Sequence, residues 1–224
     1  MKNQFIKLVL LGVVLIFCGI AVRKYFFKSW TPYYQEKLYK EPRPLLVKSL
    51  EFFKDNFQEK LALDLGAGAG NDTAYLLKQG WKVWANDIEQ EAIRVISLRN
   101  DISSLAHNLT LIHKGFTDLP WDSFPQFDLV YAGCSLPFAK PSEFMGIWYY
   151  ITQAVKPGGI FAGHFFGPDH GAFNWWEKRK MTFLTKEQLL AIFEGFQIET
   201  FEECYEQDER GLFDHSFSVI ARKI

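Results

Sequence analysis

The chain has 224 residues, of which 48% are hydrophobic, 17% aromatic and 23% charged, so its composition is that of a folded protein rather than a disordered one. Its three cysteines form no CxxC pair, which argues against a disulfide scaffold and against a structural zinc site, and we predict no bound metal. The formal net charge of −1 argues against a general nucleic-acid binder.

The charge is unevenly distributed along the chain. Residues 1–28 carry five basic side chains and no acid, whereas the remaining 196 residues carry 20 basic and 26 acidic side chains. Residues 8–22 form an uncharged apolar run, which predicts a short membrane anchor over residues 1–28 whose flanking basic side chains reach the headgroups. A cleaved signal peptide fits the same pattern. Three basic residues follow the run and two precede it, so the positive-inside rule predicts a membrane-anchored protein with its body in the cytoplasm.

Strand-like and helix-like segments alternate after a lead-in at residues 29–44, which we interpret as a lid. The first helix is predicted from residue 45 onwards, in the run LLVKSLEFFKDNF. Later helices are marked by the N-cap Thr185 and by the terminal glycines Gly80 and Gly195. The predicted strands are 60–65, 82–87, 108–113, 127–133, 158–166, 196–206 and 215–223, and the predicted later helices are 71–80, 89–100, 141–155 and 185–195.

This alternation predicts one α/β domain over residues 45–224, with a doubly wound, seven-stranded, mostly parallel sheet and helices on both faces. The last two predicted strands are joined by a polar segment without a helical pattern, so they are expected to form a C-terminal antiparallel hairpin. The N-terminal hydrophobic helix completes the predicted fold.

A glycine loop lies between the first predicted strand and the helix that follows it. The spacing is G-x-G-x-G at Gly66, Gly68 and Gly70, and Asn71 stands where a dinucleotide fingerprint would have its third glycine. Asp64, just before the loop, would repel a pyrophosphate but suits a ligand with an ammonium or sulfonium group. Asp87 ends the second strand, where an acid accepts hydrogen bonds from ribose hydroxyls.

The run DLGAGAG followed by Asp87 resembles the class I S-adenosylmethionine-dependent methyltransferases, whose seven-stranded Rossmann-like fold the predicted elements match over roughly residues 40–224. The resemblance implies that the glycine loop wraps the methionine part of S-adenosylmethionine, that Asp87 holds the ribose and that Asp64 meets the methionine amino end. The segment GFTDLPW (115–121) resembles the one that borders the adenine, although Phe116 stands where many members have an acid. The resemblance gives these candidate cofactor-binding residues: Asp64, Gly66, Ala67, Gly68, Gly70, Asp87, Ile88, Thr117, Asp118 and Gly133.

The loop after the fourth strand, Cys134-Ser135-Leu-Pro-Phe138, partly resembles the N/D/S-P-P-Y/F motif of amino-methylating enzymes. Together with later stretches it also resembles small-molecule methyltransferases of the tellurite-resistance type. Methyl transfer needs mainly in-line positioning, and a base only if the acceptor must lose a proton. The candidate catalytic residues are His164, Asp169 and Ser135, with His170 as a further candidate base. Tyr33, Tyr34 and Arg43 are candidate lid residues, and Trp175 and Trp176 fit either an aromatic substrate pocket or core packing.

The function that this pattern favours is S-adenosylmethionine-dependent methyl transfer to a small-molecule or lipid acceptor, by an enzyme attached to the membrane through its N-terminal helix. The first alternative is a cofactor-binding domain without catalysis, acting as a membrane-tethered sensor or interaction module. A nicotinamide oxidoreductase is disfavoured by Asn71 and by the glycine spacing. No nucleic-acid partner is expected, and the acceptor and the oligomeric state are not encoded in any pattern of the sequence.

Overall fold

The computed structural model describes residues 30–53, 60–171, 180–207 and 213–224. The predicted anchor at residues 1–28, Trp175 and Trp176 lie outside the described residues. Within the described ranges, no helix combines the length and the apolar character that a membrane crossing requires.

Six α-helices and seven strands form the described structure. The helices are α1 (Thr31–Lys37), α2 (Pro44–Leu50), α3 (Asn71–Lys78), α4 (Gln90–Ser97), α5 (Pro141–Ala154) and α6 (Lys186–Ile192). The strands are β1 (Leu61–Leu65), β2 (Lys82–Asp87), β3 (Leu109–His113), β4 (Phe127–Ala132), β5 (Val155–Phe166), β6 (Phe196–Gln207) and β7 (Phe213–Lys223). Short 3₁₀ segments occupy Glu51–Phe53, Asn100–Asn108, Phe116–Asp118, Trp121–Ser123 and Leu136–Phe138.

The strands form one sheet in the order β3-β2-β1-β4-β5-β7-β6. Neighbouring strands from β1 to β5 are parallel, and β7 runs antiparallel to both β5 and β6. The seven-stranded, mostly parallel sheet and the C-terminal hairpin are therefore confirmed. The order reverses at β1 and β4, and the carboxyl ends of these two strands face a common crevice, which is where this class of sheet binds its ligands.

Alternate side chains of the strands pack into two hydrophobic cores, one on each face of the sheet. One core joins Leu63 and Phe161 to Trp148 of α5 and Leu189 of α6. The other joins Ala62 and Ile160 to helices α2 and α3. Because side chains alternate along a strand, residues two apart such as Asp64 and Ala62 point to the same face. The site residues of β1 and β5 described below share the α2/α3 face.

Several element boundaries differ from the prediction by a few residues, and for two of them the structure shows the cause. Helix α4 ends at Ser97 instead of residue 100, because the backbone at Arg99 is extended and its guanidinium turns inward to the carbonyl of Ala69, 2.9 Å away. Strand β5 starts at Val155 instead of residue 158, because Val155 already pairs with Phe127 ahead of an irregularity in the register. The predicted caps at Gly80, Thr185 and Gly195 are confirmed by two left-handed glycines and a capping box.

Candidate functional site

The glycine loop has a backbone that only glycine adopts without strain. Gly66, Gly68 and Gly70 have φ angles of +71°, +56° and +73°, in the left-handed region that other residues rarely enter. A Cβ added at Gly66 would lie 2.5 Å from the Cβ of Ser135, and one at Gly70 would lie 2.6 Å from Ile96. The loop is thus held tightly between the β4 loop and α4, and its backbone faces the crevice at close range.

Asp87 joins the glycine loop to the end of β2. Its carboxylate accepts hydrogen bonds from the backbone N–H groups of Gly68 and Glu89, both at 2.9 Å. Burial raises the pKa of Asp87, while these backbone bonds oppose the shift. An ionised carboxylate has about four acceptor positions, so Asp87 retains capacity for two ligand hydroxyls.

Arg99 supports the same loop from the side of α4. Its guanidinium is buried and donates to the carbonyl of Ala69 at 2.9 Å and to the amide oxygen of Asn71 at 2.8 Å. These contacts fix the turn into α3. This role was not predicted, because the predicted helix 89–100 would have contained Arg99.

Two buried carboxylates and one guanidinium lie at the methionine side of the predicted cofactor site. Asp64 accepts a hydrogen bond from the hydroxyl of Thr73 at 2.6 Å. Asp72, in the first turn of α3, accepts from the backbone N–H of Arg43 at 2.8 Å and also from the Arg43 guanidinium. Burial and the neighbouring charge of Asp72 raise the pKa of Asp64 to about 7.

This arrangement places acceptors for an ammonium next to a donor for a carboxylate, as the recognition of an amino acid zwitterion requires. Arg43 was predicted as a lid residue, and the structure pairs its guanidinium with Asp72. Asp72 itself was missed by sequence reasoning. The available signal was an acid immediately after the glycine loop, at a helix start where acids are favoured.

Ile88, Gly115 and Asp118 come together at the predicted adenine side. Ile88 is 66% exposed, although it is a large aliphatic residue. A Cβ at Gly115 would lie 3.2 Å from Ile88 and 3.5 Å from the Asp118 carboxylate, so the three residues border one small space. Thr117 lies in the same exposed 3₁₀ turn. An apolar face beside an exposed carboxylate can hold a flat ring that carries an amino group.

Three predicted residues instead have their polar groups or their space occupied by neighbouring protein groups. The hydroxyl of Ser135 donates to the carbonyl of Leu65 and ties the β4 loop to β1. The N–H of Ala67 donates to the carbonyl of Asn86 at 2.9 Å. Gly133 leaves room for the ring of Tyr131, which a Cβ would meet at 2.6 Å.

His164 lies on the α2/α3 face of β5, near the Arg43 guanidinium. Its Nδ1 is buried and has no hydrogen-bond partner in the described part of the chain. Burial, followed by the charge of Arg43, lowers the pKa of His164 to about 4, so the ring is neutral at physiological pH. A neutral imidazole with an unsatisfied nitrogen is a group that a ligand can satisfy.

Asp169 belongs to a different cluster, after the end of β5. Its backbone N–H donates to His215 Nδ1 at 3.3 Å, and its carboxylate accepts from the Tyr205 hydroxyl at 3.2 Å. The neighbouring His170 stacks on Phe166, with 3.7 Å between the ring centroids. The two predicted catalytic candidates thus have different surroundings, because Asp169 contacts His215 and Tyr205, whereas His164 lies near Arg43. No group of acids, histidines or cysteines suited to a metal ion occurs in the described ranges.

The predicted lid contacts the glycine loop through α1. The Tyr34 side chain is buried and lies 3.7 Å from the position of a Cβ at Gly68. Burial and the charge of Asp87 raise the pKa of Tyr34. Helix α1 therefore covers one end of the crevice, and Tyr33 lies on its exposed side.

Comparison with known proteins agrees with this geometry. The methyltransferase-domain family profile matches residues 62–159. An uncharacterized methyltransferase of Synechocystis sp. is 29% identical over 164 residues, which cover 72% of this chain and 68% of that protein.

Two solved structures share the fold at low sequence identity. TehB from Haemophilus influenzae has a TM-score of 0.65 and 16% identity, and the match covers 80% of this chain but only 61% of the TehB chain. The magnesium protoporphyrin IX methyltransferase of Synechocystis PCC 6803 with bound SAH also has a TM-score of 0.65 and is 15% identical. This match covers 92% of this chain and 100% of that chain.

The strand order, the left-handed glycine loop and the acid that ends β2 define a Rossmann-like fold that binds an adenosyl cofactor at the carboxyl edge of its sheet. With the matches above, the chain contains a methyltransferase domain over residues 62–159 and shares the fold of S-adenosylmethionine-dependent methyltransferases. It is an enzyme whose cofactor is S-adenosylmethionine.

Proposed function

We propose that this methyltransferase acts on a small or lipophilic acceptor, which it holds in line with the cofactor methyl group beside His164. The observation that carries the proposal is Nδ1 of His164, which has no hydrogen-bond partner among the described residues and lies near Arg43 on the face of the sheet that also carries Asp64. The resemblance to small-molecule methyltransferases of the tellurite-resistance type supports a small acceptor.

The residues of the cradle fit S-adenosylmethionine. Asp64 would receive the ammonium, Arg43 the carboxylate, Asp87 the ribose hydroxyls, and Ile88 with Asp118 the adenine. A Cβ at Gly66 or Gly70 would collide with Ser135 or Ile96, so the loop needs glycine to keep the backbone that forms this cradle. The neutral acid form of Asp64 is converted to the charged form when an ammonium binds next to it, because an opposite charge favours ionisation.

When bound, S-adenosylmethionine supplies a methyl group that leaves sulfur without its bonding electrons, so the acceptor atom provides the electron pair of the new bond. The protein needs to orient the acceptor and to receive any proton that it loses. Neutral His164 can accept a hydrogen bond from an acceptor N–H or O–H, which aims the lone pair of that atom. After transfer the acceptor atom is more acidic, and its proton passes to His164 or to water.

His164 is the predicted catalytic residue that the geometry favours. Ser135 Oγ is occupied by Leu65 O, and the Asp169 carboxylate by the Tyr205 hydroxyl. We infer that these two residues position the loops after β4 and β5 instead of touching the acceptor.

We further propose that residues 1–28 hold the enzyme at the cytoplasmic face of a membrane. The proposal is supported by the uncharged run 8–22 and by the basic residues on both of its sides. A membrane location would supply lipophilic acceptors. Cell fractionation with a protease-protection assay tests it, and recovery of a full-length protein in the soluble fraction would contradict it.

The test of the function uses labelled methyl donor. Calorimetry with S-adenosylmethionine, S-adenosylhomocysteine and NAD first establishes binding, and transfer of label to soluble and lipid fractions of a cell extract then reports activity. We expect the His164→Gln variant to bind the cofactor normally and to lose roughly 10²–10⁴-fold in kcat with an acceptor that loses a proton.

The matched control is His107→Gln, because His107 is exposed in the 3₁₀ segment after α4. The pH profile separates catalysis from structure, since at saturating S-adenosylmethionine the ratio of the wild-type kcat to the variant kcat should fall as the pH drops through about 4. Equal kcat in the variant and the control would refute the role of His164. Cofactor binding without any label transfer would favour the non-catalytic alternative.

A further inference from the structure

A continuous group of aromatic rings runs from the start of α1 to the end of β5. We call it the aromatic wall, and it consists of Trp30, Tyr33, Phe138, Phe166, His170 and Phe183. The ring centroids of Trp30 and Phe138 are 5.3 Å apart, those of Phe138 and Phe166 are 6.3 Å apart, and Phe183 lies 6.3 Å from Phe166. The members come from four separate parts of the chain, so only the tertiary fold brings them together.

The position of the wall places it at the acceptor side of the site. Phe166 is the last residue of β5, two residues after His164, so both side chains lie on the same face of the sheet. Phe138 ends the 3₁₀ segment that follows the β4 loop. Trp30 directly precedes α1, and Tyr33 belongs to α1, the helix whose Tyr34 covers Gly68. The wall thus begins where the cofactor cradle ends and runs past His164.

The phenylalanines of the wall lie outside the hydrophobic cores of the sheet, whereas Trp30 packs against a small cluster that contains Tyr34 and Ala69. Phe138, Phe166 and Phe183 belong to neither of the two large core clusters of the sheet. Phe138 remains 37% exposed and Tyr33 36% exposed, although burial of such rings is strongly favourable. Half-exposed rings that are grouped along a cleft next to a reactive site are typical of a ligand surface, whereas single exposed rings need no explanation.

Among the described residues, the charges at the β5 end of the wall are acidic, whereas Lys37 Nζ lies 5.8 Å from the centroid of the Tyr33 ring at the other end. At the β5 end His170 Nε2 lies 3.7 Å from the Asp214 carboxylate, and Asp169 is the neighbour of His170. Both carboxylates are exposed, at 60% for Asp214 and 59% for Asp169. The guanidinium nearest to His164, that of Arg43, is already paired with Asp72. An anionic acceptor would meet these carboxylates, while a neutral or cationic one would not be repelled.

We propose that the aromatic wall binds a flat aromatic or heteroaromatic acceptor that carries a nitrogen and no anionic group. The proposal rests on the proposed function, because the ring that stacks on Phe138 and Phe166 would present its nitrogen to His164. Stacking and cation–π attraction both favour such a molecule over an aliphatic amine of equal charge.

The test measures binding of matched probes to the full chain saturated with S-adenosylhomocysteine. Tryptamine and 4-aminoquinoline represent aromatic nitrogen compounds, cyclohexylethylamine the aliphatic amine and indole-3-acetate the aromatic anion. We expect at least one aromatic nitrogen compound to bind about tenfold or more tightly than both of the other probes. The proposal would be overturned if neither aromatic nitrogen compound bound more tightly than the aliphatic amine and the anion.

Two variants locate the binding. Phe138→Leu keeps an apolar side chain but removes the ring, and we expect it to weaken the aromatic probe about tenfold while the affinity for S-adenosylhomocysteine stays unchanged. The control is Tyr149→Ala, because Tyr149 is 60% exposed on α5, outside the wall. Equal probe affinity in the two variants would contradict the proposal.

The outcomes of this test are separate from those of the proposed function. Label transfer to acceptors of other classes, without preference for the aromatic probes, would contradict the proposed role of the aromatic wall but would still support the proposed methyl transfer. Aromatic binding that Phe138→Leu weakens, without label transfer to any compound, would support the wall as a binding surface and reject the proposed reaction.

Discussion

Replacement of Gly66 by alanine tests whether the glycine loop is fixed by its neighbours or only by its own backbone. Gly66 has a φ of +71°, and Gly80, at the far end of α3, has a φ of +84°. Alanine at either position costs roughly 1–2 kcal/mol, because a side chain in the left-handed region crowds the backbone. A Cβ at Gly80 meets nothing within 4 Å, so Gly80→Ala measures this backbone cost alone.

Gly66→Ala carries a second cost that the control lacks. Its Cβ would lie 2.5 Å from the Cβ of Ser135, far closer than atoms can approach. Ser135 cannot easily retreat, because it is buried and its hydroxyl is bonded to Leu65 O. Overpacking of this kind typically costs about 1–3 kcal/mol, so we expect a total loss of roughly 2–5 kcal/mol for Gly66→Ala against roughly 1–2 kcal/mol for Gly80→Ala.

Urea unfolding of both variants measures the difference, and calorimetry measures their affinity for S-adenosylmethionine. We expect Gly80→Ala to keep the wild-type affinity and Gly66→Ala to lose it, since the loop must move to accommodate the methyl group. If the two variants lose equal stability, or if Gly66→Ala binds the cofactor normally, the close contact with Ser135 does not define the loop.

Two further predictions concern the zwitterion site. The affinity for S-adenosylmethionine should rise as the pH increases through about 7, because the cofactor ammonium pairs with the ionised form of Asp64. Burial and the charge of Asp72 raise the pKa of Asp64 to about 7. Calorimetry between about pH 6 and 8 should show weaker binding and a flatter pH dependence for Asp64→Asn. Asp72→Asn removes the charge that holds the Arg43 guanidinium, so we expect weaker cofactor binding, and unchanged affinity would show that the ion pair has no part in the site.

Local patterns determined most of the architecture before any contact was known. Alternating strand and helix segments predicted the seven-stranded sheet, and the polar link before β7 predicted the antiparallel hairpin, both of which the structure confirms. The reason is that hydrophobic periodicity, capping residues and connection lengths each depend on only a few consecutive residues, so they can be read from the sequence. The end of α4 was predicted too late, because the inward turn of Arg99 depends on Ala69, thirty residues away in the sequence.

The cofactor side of the site was accessible from sequence for the same reason. Gly66, Gly68 and Gly70 must adopt positive φ angles, and this requirement is visible as a residue type at a fixed spacing after a strand. Asp87 was predictable because strand ends place side chains at the ligand edge of a parallel sheet. Asp72 was missed because its partner Arg43 lies 29 positions earlier and no local rule connects them.

The acceptor side was decided by tertiary structure alone. The sequence offered Ser135, His164 and Asp169 as equal candidates. Only packing showed that the Ser135 hydroxyl donates to Leu65 O of β1, that the Asp169 N–H donates to His215, and that His164 Nδ1 has no partner among the described residues. The sequence by itself therefore determined the sheet and the cofactor loop, because both depend on short-range backbone geometry. The aromatic wall and the state of each candidate base depend on which distant residues become neighbours, and on how deeply they are buried, which only the folded chain decides.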